Sequence, residues 1–580
     1  MVIRPCPLAG ALKFPLLSKR SDAIIDAVRA LPPITSRGNP MKMSRRTFLA
    51  AGAGALGSAA VRAAPAGTAT PDVVVYGATP AGIVAAVAAA REGASVRLLV
   101  PGTHIGGMMT GGLSDTDTGD RADVIGGYAR EVFTRIAARY GRGAPSPDDE
   151  RQWDFEPSAA GAAFAAMLAE ADVAPLLGRR LRERGGVAKS GGRITAIALE
   201  NGEIVRGTVF IDATYEGDLM ARAGVDHVWG REGRAQYGEG LAGVQPDHRT
   251  HNFSTLGVEV SPYAADGSLI AGFHPGPRGA LGAGDRKVQA YTFRATVTDR
   301  ADNRIPFPRP AGYDPARYEL HRRTIEALIA KNGRPPTMNE LVIRSPLPNG
   351  KYDINNRGPV STNNVNRNWA YPDGGYATRA AILRDHVAHV QGYFHFLAND
   401  RRLPAILRDE VASYGLPRDE FVETGNWTPQ LYVREARRMV GAYVMRQSDI
   451  QTDVAKADGI GMGSYRSDSH NVQRFVNAAG LAECEGNMEV TISPYEIPYR
   501  ILTPRAAQAE NLLVPAAFSA SHVTYSTVRM EPQYMILGQA AGVAAARAAR
   551  DRSPVQRVDV ASLRERLRGQ GAVLTLPARA

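Results

Sequence analysis

Cysteine is almost missing from this 580-residue chain, which has only Cys6 and Cys484. Cys6 lies in a segment read below as removed on maturation. The single remaining thiol can build neither an intramolecular disulfide nor a cysteine zinc site. Cys484 is expected to be a buried, inert thiol, and no metal site is called for. No apolar stretch is long enough to serve as a permanent bilayer anchor. There is no repeat of fixed period and no long low-complexity linker. Acidic balance is lacking too, since the formal net charge is +11, but the excess is local. Residues 1–70 hold ten Lys or Arg and two Asp, contributing +8 and leaving +3 for the rest. With no basic helix and no basic–aromatic interleaving, nothing supports a nucleic-acid partner.

The chain does have an ordinary globular composition, 44% hydrophobic and 22% charged, with 60 glycines. That length and composition suit two or more domains. Its N-terminus reads as an address. Ser44 to Leu49 is S-R-R-T-F-L, followed by a small-residue apolar run from Ala50 to Ala60 and by the small-x-small sites Val61-Arg62-Ala63 and Ala64-Pro65-Ala66. This is the pattern of a twin-arginine export signal. It predicts the twin-arginine export machinery as a partner and a periplasmic or secreted destination. Met41 or Met43 is the natural start of such a signal, so residues 1–66 read as a leader with an upstream extension. That route moves folded proteins, often with a cofactor already loaded.

The mature part opens with "VVVYGATPAGIVAAVAAA", Val73 to Ala90. It predicts a buried parallel strand, a glycine turn and an alanine-rich helix. The dinucleotide fingerprint G-x-G-x-x-G would place glycine at Thr79. Thr79 instead suits a helix N-cap, with Pro80 at the first helical position. Gly77 allows the sharp exit from the strand, and Gly82 allows the helix to pack closely on the sheet. The free N–H groups at the helix start suit a pyrophosphate. The second strand, "SVRLLV", ends at Val100, where a ribose-binding Asp or Glu is usual, so another group must take over that contact.

Further motifs follow. "HIGGMMTGGLSDTD" (His104–Asp117) carries two glycine pairs just after the second strand, where backbone can press against a flat ring. "TVFIDATYEGDL" (Thr208–Leu219) is a strand that turns acidic, with Asp212 at its end. Asp212, Glu216 and Asp218 are also candidates for capping the next helix. "ENGE" predicts a hairpin turn. "YVREARRMV" offers Arg434, Arg437 and Arg438 at helical spacing, with ion pairing expected for at least two. "SASHVTYSTVRMEPQYMILGQAAGVAAA" (Ser519–Ala546) clusters Ser521, His522, Tyr525 and Arg529 at a strand end before a helix with a small-residue face. Residues 244–496, including the irregular stretch from Arg344 to Tyr376, differ in character and read as an inserted substrate domain.

Together these motifs resemble the glutathione-reductase-like flavoproteins. They are closest to a bacterial exported group of FAD-dependent oxidoreductases carrying G-A-T-P-A-G-I, H-x-G-G-M, F-I-D-A-T-Y-E-G-D-L, Y-V-R-E-A-R-R-M and S-A-S-H…R-M-E-P…L-G-Q-A-A-G. Five ordered motifs span nearly the whole mature chain. The departure is Val100, where that group commonly has Glu. The resemblance implies an α/β fold: a Rossmann-like FAD-binding domain, with parallel sheet and β-meander, assembled from residues 67–243 and 497–580, and an inserted α+β cap domain at 244–496. It implies FAD, with Gly77, Ala78, Thr79, Ala81 and Gly82 at the pyrophosphate and Gly106, Gly107 and Met108 toward the flavin. Asp212 and Ala213 would flank the adenine half. Ser521, Gln539, Ala540 and Gly542 would serve the ribityl and ring end.

The expected activity is hydride transfer from a small organic substrate to flavin, a sugar or glycoside being one candidate class, with an unidentified electron acceptor. His522 is the first candidate base, because imidazole titrates near neutral pH. Arg529 and Tyr525 are the other candidate catalytic residues, with Arg529 a candidate for flavin or substrate contact. His104 is both a candidate flavin attachment point and a candidate loop-stabilising residue. The alternatives are an FAD enzyme of non-redox isomerisation or elimination, a nicotinamide dehydrogenase, which lacks a second glycine fingerprint, and a non-catalytic binding protein.

Overall fold

The computed structural model describes residues 70–118, 121–246 and 250–576. The export signal and the leader therefore lie outside the described residues. In chain order the elements used below are β1 (Val73–Tyr76), α1 (Pro80–Arg91), β2 (Val96–Leu99), α2 (Gly127–Ala138), α3 (Pro157–Glu170), β3 (Pro175–Leu176), β4 (Val187–Ser190), β5 (Arg193–Ala198), β6 (Ile204–Arg206), β7 (Val209–Asp212) and α4 (Asp218–Arg222). Then come β8 (Ala295–Thr298), α5 (Glu319–Asn332), β9 (Val342–Leu347), β10 (Lys351–Asn356), α6 (Tyr376–Asn399), β11 (Leu512–Leu513), α7 (His522–Val528), α8 (Glu531–Arg550) and α9 (Val560–Gly569).

Five strands form one parallel sheet in the order β11-β7-β1-β2-β3. β1 is apolar at every position because both of its faces are covered. Val73 and Val75 join the large core with α1 and α8, while Val74 and Tyr76 join a second core with Ile194, Ile197, Phe210 and Leu512. That second face is covered by the antiparallel meander β4-β5-β6, whose β5–β6 hairpin is the one expected at "ENGE". Residues 512–513 add the strand beside β7, some 300 residues further along the chain.

The tightest helix contact is α1 against α8. A Cβ on Gly538 would run into the Ala81 carbonyl, and one on Gly542 into the Ala85 carbonyl. Pairing of 538 with 81 and 542 with 85 makes the helices run parallel. α8 starts seven residues before Gly538, so its N-terminus overshoots the start of α1 by roughly 10 Å. Glu531 is thereby carried past the β1–α1 turn.

Two local expectations are corrected. The stretch from Arg344 read as irregular contains the hairpin β9–β10, turned at Asn349 and Gly350 with φ of 62° and 71°. An Asn-Gly pair is a strong hairpin signal that the Pro-rich surroundings masked. The "YVREARRM" segment is not helical. It runs extended, with Arg438–Met439 pairing antiparallel to His227–Val228. Tertiary pairing outweighed its helical spacing. Among the described residues no helix is long and apolar enough to cross a membrane. Cys484 is buried, as expected, and burial pushes its thiol pKa up.

Gly542→Val should force α1 and α8 apart. We expect a loss of at least about 3 kcal/mol in denaturant unfolding.

Candidate functional site

The β1–α1 turn is built as its residues dictate. Gly77 has φ +103°, and a Cβ there would lie 2.9 Å from the Ala213 carbonyl carbon. Thr79 caps α1: its Oγ1 accepts from Gly82 N at 3.3 Å and donates to Ala213 O at 2.7 Å. One hydroxyl therefore starts the helix and ties it to the end of β7. Asp212 braces the β7 exit, accepting from Thr214 N, Thr214 Oγ1 and Met220 N at 3.1, 2.7 and 2.8 Å. Burial pushes its carboxyl up to about 6 against those hydrogen bonds. Val100 is buried, its N–H donates to Leu176 O and its carbonyl accepts from Arg179 N. Neither its side chain nor its backbone is left for a ribose.

The glycine-pair loop lies directly on this turn. Gly106 N donates to Ala78 O at 2.7 Å, and a Cβ on Gly107 would meet Tyr215 Oη and Pro80 Cδ. His104 Nε2 lies 2.9 Å from Gly107 O and 3.1 Å from Thr110 Oγ1, so the ring braces its own loop. The next link is Tyr215. Its hydroxyl accepts from Met108 N at 3.0 Å and donates to Glu531 Oε1 at 2.6 Å. One hydrogen-bond chain thus joins the H-x-G-G-M loop, the segment after β7 and the start of α8.

These segments enclose a cavity of about 10 Å³, lined by Met108, Asp117, Tyr215, Tyr432, Arg529 and Glu531 among others. Burial drives the Glu531 carboxyl up to about 8, although the Tyr215 hydrogen bond lowers it. Its Oε2 has no partner among the described residues. Burial likewise raises Asp117 to about 6, with Arg294 pulling down. Arg529 is held by Tyr432 Oη at 3.0 Å and Asp468 Oδ2 at 3.0 Å, and its Nε is unpartnered. Two carboxyl groups with raised pKa around one cavity mark a candidate chemical centre.

The other predicted residues lie elsewhere. His522, at the start of α7, has Nδ1 2.7 Å from Glu435 Oε2, and its backbone N–H donates to Glu232. Burial acts to raise Glu435, but His522 and Arg438 hold it down to about 2. Ser521 caps α7 and donates to Glu239 at 2.6 Å. Tyr525 meets the cavity only through Tyr534, whose hydroxyl is 2.7 Å away. The Gln539 amide is spent on Tyr128 N and Gln570. Ala540 is buried in α8, and Gly542 faces α1. Of the three clustered arginines, Arg437 pairs with Asp218 and Asp373, and Arg438 with Glu232. Arg434 has no carboxylate partner among the described residues. It donates to Ala290 O and to Asn363 Oδ1, with Nε and Nη2 unpartnered, and burial pulls its pKa down to about 9. The reading of the residues missed Tyr215, Glu531 and Asp117. All three stood inside quoted motifs, but burial, which makes them reactive, has no signal in sequence.

A model of the FAD dependent oxidoreductase family matches residues 72–567. The chain belongs to that family. FAD is its cofactor. No curated protein matches it. Among solved structures it is similar to a flavin monooxygenase from Stenotrophomonas maltophilia, at 17% identity over 25% of this chain and 37% of that one, TM-score 0.17. It is also similar to Thermovibrio ammonificans THI4, at 19% identity over 28% and 67%, TM-score 0.20. A third is NikD, an amino acid oxidase of nikkomycin biosynthesis, at 16% identity over 28% and 57%, TM-score 0.21. The chain spans well under two thirds of the monooxygenase and of NikD.

The residues present fit FAD. Gly77, Gly106, Gly107 and Gly112 all have positive φ and leave no room for a Cβ. Buried polar atoms lacking partners gather on the segments that meet here: Ser114 Oγ, Arg434 Nε and Nη2, Arg529 Nε and Glu531 Oε2. Such groups are costly unless a ligand completes them.

Tyr215→Phe strands both Met108 N–H and Glu531. We expect about 2 kcal/mol of destabilisation. The Glu531 titration should also move above its present value, read by the protonated-carboxyl infrared band.

Proposed function

We propose that this family member oxidises a small hydroxylated organic molecule at the Arg529–Glu531 cavity, and that Glu531 takes the substrate hydroxyl proton as the adjacent C–H bond gives up its hydrogen with the electron pair. Bound FAD supplies the two-electron acceptor. The observation that carries this reading is Glu531 itself: a carboxyl shifted to about 8, facing a cavity, with one oxygen anchored and the other unpartnered. A base whose pKa sits near the working pH is the efficient one. Glu531 takes the role that the sequence pattern suggested for His522, whose ring is committed to Glu435.

Gly77, Ala78, Thr79, Ala81 and Gly82 would hold the pyrophosphate, using the first-turn N–H groups and positive end of α1. Gly106, Gly107 and Met108 would bear on the ring. Asp212 and Ala213 support this by fixing the β7 exit rather than through free polar atoms. Tyr215 holds Glu531 Oε1 so that Oε2 is left to accept a substrate hydroxyl proton. Arg529, steadied by Tyr432 and Asp468, keeps Nε for a substrate or cofactor oxygen. The cavity now has room for roughly one water molecule, so a ring and substrate enter by displacing the flexible Met108, Met109 and Met530. Residues 244–496 would serve as the cap that bears substrate contacts. Ser44–Leu49 supports export, and an unidentified acceptor reoxidises the protein.

Proton uptake requires the Glu531 carboxylate, so flavin reduction by substrate should accelerate as pH rises toward 8 and level off above it. Glu531→Gln should remove that dependence and slow reduction by about a hundredfold or more with FAD content unchanged. The same shift has a stability sign. The folded protein keeps a proton up to about 8 that the unfolded chain releases near 4.5, so this group's contribution to stability falls as pH rises through that window. At the other end of the site, Gly77→Val should abolish FAD occupancy of purified protein, whereas Thr79→Gly should retain it, since glycine substitutes for an N-cap at a cost of a few tenths of a kcal/mol.

A further inference from the structure

A second cavity, about 230 Å³, is lined by Arg317, His321, Asn364, Arg367, His389 and Arg474 among others. It draws on α5, α6, the Asn363–Arg367 loop and the strand Gln473–Val476. Its volume equals that of roughly eight liquid water molecules. Its charge is one-sided. Arg317 and Arg367 share a single acid, Asp385, at 2.9 and 3.4 Å, and Asn364 donates to the same carboxylate. Arg474 has no carboxylate within ion-pair distance among the described residues. It is 5% exposed, donates to Gly272 O at 3.2 Å and Pro359 O at 2.6 Å, and its Nε is unpartnered. A buried guanidinium with carbonyl partners and no carboxylate is an expensive arrangement unless an anion completes it.

The polar remainder is neutral. His389 is buried with both ring nitrogens unpartnered, and His321 has Nδ1 unpartnered. A neutral imidazole offers one donor and one acceptor, the pair that a hydroxyl group needs. Burial and the nearby Arg317 keep His389 from charging. Asp385, bound to three of the lining residues, opposes a doubly charged ligand, whereas one planar carboxylate matches one guanidinium fork.

We propose that this cavity binds a small hydroxylated monocarboxylic acid, its carboxylate on Arg474 and Arg317 and a hydroxyl on His389. The proposal does not rest on the reaction assigned to Glu531, because it is read by binding alone.

The test is calorimetric titration of FAD-loaded protein with D-glucuronate, D-glucose and glucose 6-phosphate. Glucuronate should bind at least about tenfold more tightly than glucose, and more tightly than the phosphate ester. Raised salt should weaken glucuronate binding. Arg474→Met should cost about tenfold or more, and Arg474→Lys less. Equal binding of glucuronate and glucose, preference for the phosphate ester, or unchanged affinity in Arg474→Met overturns the proposal. If Arg474→Met does not fold, Arg317→Met supplies the same comparison: unchanged affinity there also overturns it. Glu531→Gln should leave glucuronate affinity unchanged, which separates failure of this proposal from failure of the catalytic one.

Discussion

Everything at the site depends on two helices that touch without side chains between them. Gly538 and Gly542 of α8 lie against the carbonyls of Ala81 and Ala85 in α1. That contact fixes the axial offset of α8, and the offset carries Glu531 past the β1–α1 turn. Tyr215 can then bridge to it from the segment after β7, with Met108 on the other side. A larger residue at either glycine would separate the helices and break a hydrogen-bond chain roughly two to three turns away. Close packing of this kind transmits geometry because interiors have little slack.

Charge follows a similar economy. Most buried arginines meet acids: Arg231 with Asp285 and Glu485, Arg294 with Asp353, Arg437 with Asp218, Arg438 with Glu232. Arg434 and Arg474 do not. Both lie within one hydrogen-bonded neighbourhood, since Arg434 donates to Asn363 and Asn363 lines the cavity that Arg474 lines. Arg474 stands where a small molecule has room, and the compensated cations stand where chain must be held. The His522 ring is likewise held in place, its Nδ1 against Glu435 in the Arg438 cluster.

Legibility varied with how local the cause was. Thr79 and Pro80 were readable as a helix start because capping involves only neighbours in sequence, and the structure has that cap. The β5–β6 hairpin was readable from its turn. The Asn349-Gly350 turn was equally local, yet the prolines and asparagines around it read as irregular chain. Tyr432–Met439 misled for the opposite reason. Its spacing suits a helix, but Arg438–Met439 finds a strand partner at His227–Val228, some 210 residues away, and no local signal reports that.

By itself the sequence determined the order of the motifs, the dinucleotide-type turn, the family those motifs resemble and the doubtful ribose contact at Val100. These rest on residue types and short spacings, which act through backbone conformation. Tertiary structure alone decided that Glu531 and not His522 faces the cavity, that Gln539 spends its amide on Tyr128 and Gln570, and that Arg434 and Arg474 lack acids. Each of those depends on which distant side chain arrives, and on how much water its arrival removes. Desolvation turns an ordinary carboxyl into one that holds its proton up to about 8, and desolvation exists only once the chain has folded.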